Sequence, residues 1–270
     1  MSKTILISGA SKGFGKAWTE AFLEKGYKVA ATARNIDALA DLKAKYGDAI
    51  LPLKLDVNNR EESFAVVKKV QEHFGKIDIL INNAGYALNG AVEEASEAEA
   101  RAQFETNFFG TLWLTQAALP IMRNQKSGHI IQVSSILGIA ALPNLGIYNA
   151  SKFAIEGLTE TLAQEVKQFG INVTLLEPNG YATDIWGNTF NSQSIDAYDG
   201  IRKAIEEGHD PDTFGKTEFT VPAILKLVDA ENPPLRLFLG KVALPLAKHV
   251  YAQKLATWEE WADVSVAAHG

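Results

Sequence analysis

The sequence contains no cysteine, which excludes disulfide bonds, a thiol nucleophile and zinc sites built on cysteine. Its five histidines are scattered, and none has the spacing of a metal-binding pair: His73, His129, His209, His249 and His269. We therefore predict that the protein holds no metal. The chain also lacks an uninterrupted run of about 18 apolar residues, so no membrane-spanning helix is expected.

A block of positive charge is missing as well. Lysine and arginine number 26 against 32 aspartates and glutamates, which gives a formal net charge of −6. We therefore expect neither nucleic acid nor an anionic membrane as a partner. A strand pattern begins at Thr4, where a signal peptide would have a long apolar run, so we expect a cytoplasmic protein. The 270 residues, 47% of them apolar, suit one large domain.

Strand-like and helix-like segments alternate along most of the chain. Short apolar runs predict strands at Thr4–Ser8, Tyr27–Ala33, Ile50–Leu55, Ile77–Ile81, Gly128–Val133, Ile171–Leu176 and Leu235–Leu239. Helical spacing predicts helices at Lys16–Lys25, Ile36–Tyr46, Arg60–Phe74, Tyr148–Phe169 and Val221–Asp229, and one long helix or a helix pair at Ala98–Leu119. Continuous apolar strands that alternate with helices form parallel sheets covered on both faces. We predict a single α/β domain over 1–270, with a Rossmann-type, doubly wound, seven-stranded parallel sheet and helices on both faces.

Two segments break this alternation. Residues 182–220 are polar, contain glycine and have no apolar period, which is typical of a substrate loop or lid. Residues 241–264 have helical spacing and carry Trp258 and Trp261. This helical tail could cover the site, join a second subunit or pack on the sheet, and the sequence favours none of the three.

A glycine-rich turn follows the first strand, in the order Ser8-Gly9-Ala10-Ser11-Lys12-Gly13-Phe14-Gly15. Gly9 permits a tight turn, Gly13 lets the backbone approach a ligand, and Gly15 lets the helix pack closely on the strand. The helix N-terminus offers unpaired N–H groups to an anion. The turn therefore predicts that a dinucleotide is bound through its pyrophosphate by Gly9, Ser11, Lys12, Gly13, Phe14 and Gly15.

The residue that ends the second strand indicates which dinucleotide is bound. An acid at this place holds the ribose 2′-hydroxyl of NAD, whereas this chain has Arg34. An arginine favours the 2′-phosphate of NADP, and Lys12 adds a second positive charge. We predict NADP(H) as the cofactor and Arg34 as one of the residues that bind it.

The candidate chemistry lies between Ser134 and Lys152. Tyr148 and Lys152 are four residues apart, so on a helix they share a face and the ammonium lies near the phenol. We expect that positive charge to lower the pKa of Tyr148 from its usual value of about 10. The hydroxyl of Ser134 or Ser135, at the end of an apolar strand, can reach the same tyrosine. Such a group suits proton transfer to or from an oxygen while a cofactor moves hydride.

These motifs together resemble the short-chain dehydrogenase/reductase family in its single-domain branch, from the first strand to about Thr183. Ser135 precedes Tyr148 by the interval usual in the family, so the resemblance assigns Ser135 rather than Ser134 to catalysis. Asn107 falls where the family has an active-site asparagine. The resemblance thus implies a catalytic set of Asn107, Ser135, Tyr148 and Lys152, in which Tyr148 and Lys152 also bind the cofactor.

The same resemblance implies further cofactor contacts. Asp56 and Val57, after the third strand, look like the pair that contacts adenine, and the segment Asn83-Ala84-Gly85 is similar to the family signature near the adenosine ribose. The segment from Glu177 resembles the Pro-Gly-x-x-x-Thr motif that holds the nicotinamide carboxamide, which adds Pro178, Tyr181 and Thr183. Asn179 replaces the glycine of that motif, and asparagine tolerates a left-handed backbone.

The resemblance implies an NADPH-dependent oxidoreductase that reversibly reduces a ketone or aldehyde carbonyl to an alcohol. Tyr148 would donate the proton, Ser135 would stabilise the developing alkoxide, and Asn107 would hold a water that links Lys152 to solvent. We expect apolar and aromatic residues to line the substrate pocket, which predicts a hydrophobic or aryl substrate: Leu137, Leu142, Tyr181, Ile185, Trp186 and Phe190.

Several alternatives stay open. The chain resembles the 17β-hydroxysteroid-dehydrogenase-like ketoreductases within the family, so oxidation of a steroid-like or other secondary alcohol is one of them. An epimerase, a dehydratase or a halohydrin dehalogenase uses the same fold, although the glycine turn and Lys152 argue against the last. A non-catalytic NADPH-binding sensor is a further alternative, and it requires a site that has lost catalytic residues. Family members usually form homodimers or homotetramers through the helices around Gln103–Leu119 and Tyr148–Phe169, so we expect a homo-oligomer.

Overall fold

Seven parallel strands form the central sheet of the computed structural model, which describes residues 2–181, 190–208, 210 and 213–269. Their spatial order is β3-β2-β1-β4-β6-β7-β9. The bounds are β1 Thr4–Ile7, β2 Lys28–Ala33, β3 Ile50–Lys54, β4 Ile79–Asn82, β6 Gly128–Val133, β7 Ile171–Pro178 and β9 Arg236–Leu239. Two short strands, β5 (Leu88–Asn89) and β8 (Phe190–Asn191), pair in parallel apart from this sheet.

Helices cover both faces of the sheet. Their bounds are α1 Gly13–Glu24, α2 Ala40–Tyr46, α3 Arg60–Phe74, α4 Glu97–Phe104, α5 Gly110–Gln125, α6 Gly146–Val166, α7 Asp199–Glu207, α8 Val221–Asp229, α9 Ala243–Glu260 and α10 Ala262–Ala267. A π-helical turn, Glu105–Phe109, joins α4 to α5. The predicted doubly wound, seven-stranded parallel fold is confirmed.

The strands are apolar on both sides because each side of the sheet has its own core. Alternate residues of β1 divide between the two cores: Ile5 and Ile7 pack with α1 and α8, whereas Leu6 packs with α3, α5 and α6. The first core is centred on Trp18 and Phe22, which are both completely buried. Burial of a large apolar side chain stabilises the fold by roughly 1.5–3 kcal/mol, so these cores fix the register of the strands.

The chain reverses its direction of travel across the sheet between β3 and β4. It runs outward from β1 through β2 to β3, and then returns to place β4 on the other side of β1. A crevice opens beyond the carboxyl ends of the strands at such a switch point, and ligands of α/β sheets bind there. The glycine turn after β1 and the segment that begins at Asn83 after β4 meet in this crevice.

The structure corrects the sequence analysis in the region predicted to be irregular. Within residues 182–220, the described part contains β8 and the helix α7, whose polar face had hidden its period in the surrounding polar sequence. The stretch Ala98–Leu119, predicted as one long helix or a helix pair, is a pair, because the π-helical turn separates α4 from α5. The first helix also begins earlier than predicted, at Gly13.

Candidate active site

The glycine turn contains positive φ angles and close backbone contacts that exclude larger residues. Gly9 and Gly13 have φ angles of +70° and +53°, which favour glycine. A Cβ on Gly15 would overlap the carbonyl oxygen of Gly9 and lie 2.7 Å from Nδ2 of Asn83. The helix α1 begins at Gly13, and Lys12 before it is extended and provides no side-chain cap. The first N–H groups of α1 therefore face the crevice without a competing side chain.

Asn83 ties this turn to the end of β4. Its Nδ2 donates to the carbonyl oxygens of Ser8 at 3.0 Å and Gly9 at 3.1 Å. The hydroxyl of Ser8 in turn accepts from the backbone N–H groups of Asn83 and Ala84, both at 3.0 Å. The sequence places Asn83 beside a ribose, and the structure adds that its amide group braces the phosphate-binding turn.

The other cofactor residues lie along the same edge of the sheet. Arg34 is exposed beyond β2, where its charge acts on the hydroxyl of Tyr86 across the crevice. Asp56 is half-buried after β3, and Val57 packs against Gly110, where a Cβ would lie 2.8 Å from the valine side chain. Ser11 and Lys12 lie on the solvent side of the turn.

Phe14 and Tyr181 face each other beneath the crevice, with ring centroids 4.9 Å apart in an edge-to-face arrangement. Both line a cavity of about 760 Å³, as do Gly85 and Pro178. Thr183 belongs to the predicted carboxamide site and lies outside the described residues, as do Ile185 and Trp186. Each of the other residues predicted to bind the cofactor lies at the carboxyl edge of the sheet.

Asn179, which replaces the glycine of the carboxamide motif, needs no left-handed backbone, since its φ angle is negative. Its backbone N–H donates to Leu239 at 3.0 Å, and its Nδ2 donates to Thr213 at 3.1 Å. The side chain thus joins the end of β7 to the segment after α7, and the structure shows a bridging role that the motif does not indicate.

Ser135, Tyr148 and Lys152 meet in the wall of the same cavity. The hydroxyl of Ser135 accepts from the N–H of Leu137 at 3.1 Å, and Ser135 lies beside the phenol of Tyr148 in the cavity wall. Lys152 lies with Nζ 5.7 Å from the centroid of the Tyr148 ring, and it donates to the carbonyl oxygen of Val133 at 2.8 Å. The strand end after β6 and one face of α6 therefore bring the three groups together, as the spacing predicts.

Asn107 lies in the π-helical turn and is almost completely buried. Its Nδ2 donates to the carbonyl oxygen of Tyr86 and to the hydroxyl of Ser151, both at 3.0 Å, and its Oδ1 accepts from the N–H of Tyr86 at 3.1 Å. A Cβ on Gly85 would lie 3.1 Å from Asn107 Oδ1 and 3.8 Å from Lys152 Nζ. Gly85 thus leaves a narrow space between the asparagine and the lysine.

The electrostatics of this group correct one expectation. Burial raises the pKa of Tyr148 to about 12, and the hydrogen bond from Ser135 opposes that rise only in part. Burial also lowers the pKa of Lys152 to about 8, although Glu156 counteracts the effect. The predicted lowering of the Tyr148 pKa by Lys152 is wrong for the protein alone, because loss of hydration outweighs a cation that does not touch the phenol oxygen.

A buried ionic cluster lies behind the catalytic helix, and the sequence analysis did not find it. Arg236 of β9 makes ion pairs with Glu156 of α6 and with Glu177 of β7, and at 2.6 Å with Glu160. Burial and the charge of Glu156 raise the pKa of Glu177 to about 8, despite the opposing effect of Arg236. The signal in the sequence was an acid in an otherwise apolar strand, since such residues are seldom fully buried without a partner.

The substrate side of the cavity is lined by apolar residues from separate segments. Leu137, Leu142 and Tyr181 lie where the sequence predicts them, and Phe190 packs edge-to-face on Tyr86 with centroids 4.9 Å apart. Apolar wall residues that were not predicted come from the loop before α6, from α7 and the segment after it, and from the start of α9 and the residue before it: Pro143, Leu145, Ile205, Phe214, Val242 and Leu246. None of these follows a recognisable motif.

An ion pair and two backbone hydrogen bonds at Glu94 anchor α7 to the rest of the site. The carboxylate of Glu94 is almost completely buried and pairs with Arg202 of α7 at 2.5 Å. It also accepts from the backbone N–H groups of Ala91 and Ile195, each at 2.7 Å. Three donors thus converge on Glu94, which anchors α7 and with it Ile205 in the cavity wall.

No group of three or more histidine, cysteine, aspartate or glutamate side chains within residues 2–181, 190–208, 210 and 213–269 has a metal-binding arrangement. None of the helices within the described ranges is both long enough and apolar enough to cross a membrane.

Comparison with known proteins gives the class to which this fold and site belong. The family model described as short chain dehydrogenase matches residues 3–194. Oxidoreductase BOA17 of Botryotinia fuckeliana is 38% identical over 99% of this chain and 100% of its own length. A 3-ketodihydrosphingosine reductase of Bacteroides thetaiotaomicron is 36% identical over 94% of this chain and 92% of the relative. The chain therefore belongs to the short-chain dehydrogenase family and is an oxidoreductase of that family.

Further relatives extend the comparison. Human retinol dehydrogenase 8 is 32% identical over 87% of this chain and 80% of its own length. A short-chain dehydrogenase structure from Streptomyces avermitilis superposes with a TM-score of 0.91, at 36% identity over 99% of this chain and all of the other. A short-chain dehydrogenase from Burkholderia cenocepacia, crystallised with NADP, has a TM-score of 0.77 at 27% identity and covers 96% of this chain and 97% of its own.

Proposed function

We propose that this protein is an NADP(H)-dependent carbonyl reductase that converts a hydrophobic ketone or aldehyde to its alcohol. The observation that carries the proposal is the phenol of Tyr148, which is buried in the cavity wall beside Ser135 and accompanied by Lys152. A phenol with a serine hydroxyl beside it presents two hydrogen-bonding groups to one carbonyl oxygen. This arrangement suits protonation of an oxygen rather than hydrolysis.

The crevice at the switch point fits a phosphorylated dinucleotide. The closely packed glycine turn and the uncapped start of α1 suit the pyrophosphate, while Arg34 and Lys12 provide positive charge for a 2′-phosphate. The relative from Burkholderia cenocepacia was crystallised with NADP, which supports the same choice. When bound, the reduced cofactor would supply the hydride.

The side chains of this chain would supply the proton and hold the oxygen. A pKa of about 12 keeps Tyr148 protonated at neutral pH, which is the form that a proton donor requires. Ser135 donates a hydrogen bond to the same oxygen and stabilises its negative charge. Lys152 adds positive charge and binds the cofactor ribose, and its pKa of about 8 means that this charge is lost as the pH rises through 8. Asn107 would hold a water beside Lys152 in the space left by Gly85.

The cavity favours an apolar substrate. Leucine, isoleucine, phenylalanine and valine side chains from several segments line the cavity, and Leu137 and Leu145 are both buried there. Two relatives carry names of hydrophobic substrates, 3-ketodihydrosphingosine and retinol. Oxidation of a secondary alcohol is the second candidate direction, and the name retinol dehydrogenase favours it.

We also propose that the protein forms homodimers or homotetramers through the surface of α5 and α6. Phe153 of α6 is 40% exposed, and Trp113 of α5 stacks on Phe109 with ring centroids 5.6 Å apart in a half-buried position. An association through these helices would cover the aromatic groups. A cytoplasmic location stays a prediction of the sequence.

The test is the initial rate with NADPH and with NADH across a panel of ketones and aldehydes. We expect NADPH-dependent reduction, and we expect Tyr148→Phe to lower kcat about 10³-fold while NADPH still binds. Tyr86→Phe is the matched control, since Tyr86 lines the same cavity and has no proposed proton to give. Full activity in Tyr148→Phe would reject the proposed proton donor.

A further inference from the structure

The second half of the helix α9 and the helix α10 extend beyond the body of the protein. From Tyr251 to His269, all residues except Lys254, which donates to the carbonyl oxygen of Ile139 at 3.1 Å, are exposed. This segment includes large apolar side chains, with Trp258 61% exposed and Leu255 50% exposed. A helix with few tertiary contacts is marginally stable, and exposed aromatic groups of this size usually mark an interaction surface. The tail therefore has the composition of a docking helix.

One row of side chains gives this surface a direction. Lys248, Ala252, Leu255 and Glu259 have the spacing i, i+4, i+7 and i+11, so they line up along one face of α9. Leu244, Tyr251 and Trp258 lie beside this row at intervals of seven residues, and all three are exposed. The face is thus apolar in the middle, with a positive charge near one end and a negative charge near the other.

The two charges cannot satisfy each other within one helix. Eleven residues separate Lys248 from Glu259, which corresponds to about 16 Å along the axis. Neither residue makes an ion pair with any other residue that the structure describes, and both are exposed. A partner that covers this face therefore has to present the opposite pattern, with a negative group opposite Lys248 and a positive group opposite Glu259.

We propose that this partner is a second copy of the same helix, paired antiparallel about a two-fold axis. An antiparallel copy has the required charge pattern, because reversing α9 places its Glu259 opposite Lys248. In that register Leu255 of each copy lies opposite Ala252 of the other, so a large residue meets a small one twice. A parallel copy would instead place Lys248 against Lys248 and Glu259 against Glu259. The same patch thus serves both partners, as a two-fold interface requires.

The charge of the tail argues against the other obvious occupant, an anionic membrane surface. Between Leu255 and His269 the chain carries Glu259, Glu260 and Asp263 and no lysine or arginine. A negative lipid surface would repel this end of the helix even though two tryptophans lie on it. A second copy offers both a basic and an acidic segment, and it therefore fits the whole face.

Pairing through this face of α9 involves neither the catalytic residues nor Phe153 and Trp113 of the surface of α5 and α6. If the protein already forms a dimer or a tetramer through α5 and α6, pairing of the tails doubles the mass of that assembly. If it does not, pairing of the tails produces a dimer. In both cases, loss of the α9 contact halves the mass of the assembly, so one measurement tests the proposal whatever else the protein forms.

The experiment measures the mass of the full-length protein by sedimentation velocity, over a range of concentrations. We expect Lys248→Glu and Glu259→Lys, each alone, to halve the mass and to weaken association at least tenfold. In an equimolar mixture of the two variants, each new glutamate faces a new lysine and each remaining lysine faces a native glutamate. The mixture should therefore recover the mass of the wild type.

Lys226→Glu is the control, because it makes the same charge change at an exposed position of the core-packed helix α8 and should leave the mass unchanged. Circular dichroism and NADPH binding confirm that each variant is folded. If neither single variant changes the mass, pairing through α9 is overturned. If both variants lose mass and the mixture fails to recover it, the antiparallel arrangement of two copies is overturned.

Discussion

The cofactor side and the substrate side of this site are built by different means. On the cofactor side, backbone atoms and glycines meet at distances that leave no room for a Cβ, and Asn83 braces the turn from the neighbouring strand. On the substrate side, α7 is anchored by the ion pair between Glu94 and Arg202, and the residues of α7 are exposed or half-buried. The cofactor site is therefore rigid in its main chain, whereas the substrate wall depends on side chains that can be exchanged.

The largest loss of cofactor affinity, and the strongest test of a rigid cofactor site, is expected for a substitution at Gly15. Gly15→Ala forces its Cβ against the carbonyl of Gly9, so the turn has to move and the phosphate site with it. We expect the affinity for NADPH, measured by fluorescence titration, to fall at least 100-fold. Gly157→Ala is the control, because no atom lies within 4 Å of the added methyl, and alanine favours a helix by up to about 1 kcal/mol. Undiminished binding by Gly15→Ala would show that the turn is not rigid.

The next largest effect is expected at Arg34, and it tests which residue of the cofactor site selects NADPH over NADH. Arg34→Asp replaces the cation proposed to hold the 2′-phosphate with an acid that accepts a ribose hydroxyl. We expect the ratio of kcat/KM for NADPH over NADH to fall by about 10- to 100-fold. Arg123→Asp makes the same charge change on an exposed residue in the last turn of α5 and should leave the ratio unchanged. An unaltered ratio in Arg34→Asp would remove Arg34 from the 2′-phosphate site.

A smaller effect is expected on the substrate side. Glu94→Ala leaves Arg202 without its buried partner and frees the N–H groups of Ala91 and Ile195, so α7 loses its anchor. We expect KM for the carbonyl substrate to rise about tenfold, while kcat and NADPH affinity change less than twofold. Glu97→Ala breaks the exposed ion pair with Arg101 and is the control. An equal loss of NADPH affinity in Glu94→Ala would contradict the separation of the two sides.

The smallest effect concerns stability and the buried carboxyl of Glu177, behind both sides. Its pKa is about 8 in the folded protein, against an ordinary value of 4.5, so the folded state keeps a proton that the unfolded state has released. Stability from this group is therefore present below about pH 4.5 and decreases as the pH rises to 8.

Glu177→Gln cannot ionise, so its Tm should rise relative to the wild type between pH 5 and pH 8, by about 2–4 °C for each 1 kcal/mol that ionisation costs the wild type. Glu165→Gln, on the exposed face of α6, should show a constant difference over the same range. Thermal melts monitored by circular dichroism at several pH values measure both. A difference for Glu177→Gln that is independent of pH would show that Glu177 is ionised in the folded protein.

Local sequence was sufficient where a backbone constraint or a helical period carries the information. The turn at Gly9, Gly13 and Gly15 requires positive φ angles or close contacts that glycine alone satisfies. The turn can therefore be recognised from the sequence. Tyr148 and Lys152 can likewise be placed on one helical face from the sequence, because residues four apart in a helix lie on the same side. The pKa of Tyr148 was predicted in the wrong direction, because burial depends on residues distant in the sequence.

The sequence by itself determined the α/β alternation, the phosphate-binding turn and the spacing of Ser135, Tyr148 and Lys152. Each of these follows from the conformational limits of a few consecutive residues. Only the tertiary structure decided that Glu177 and Arg236 form a buried cluster, that Glu94 anchors α7, and that α9 leaves the body of the protein with its apolar face uncovered. These contacts join residues from separate elements, and their energies depend on burial that no local pattern specifies.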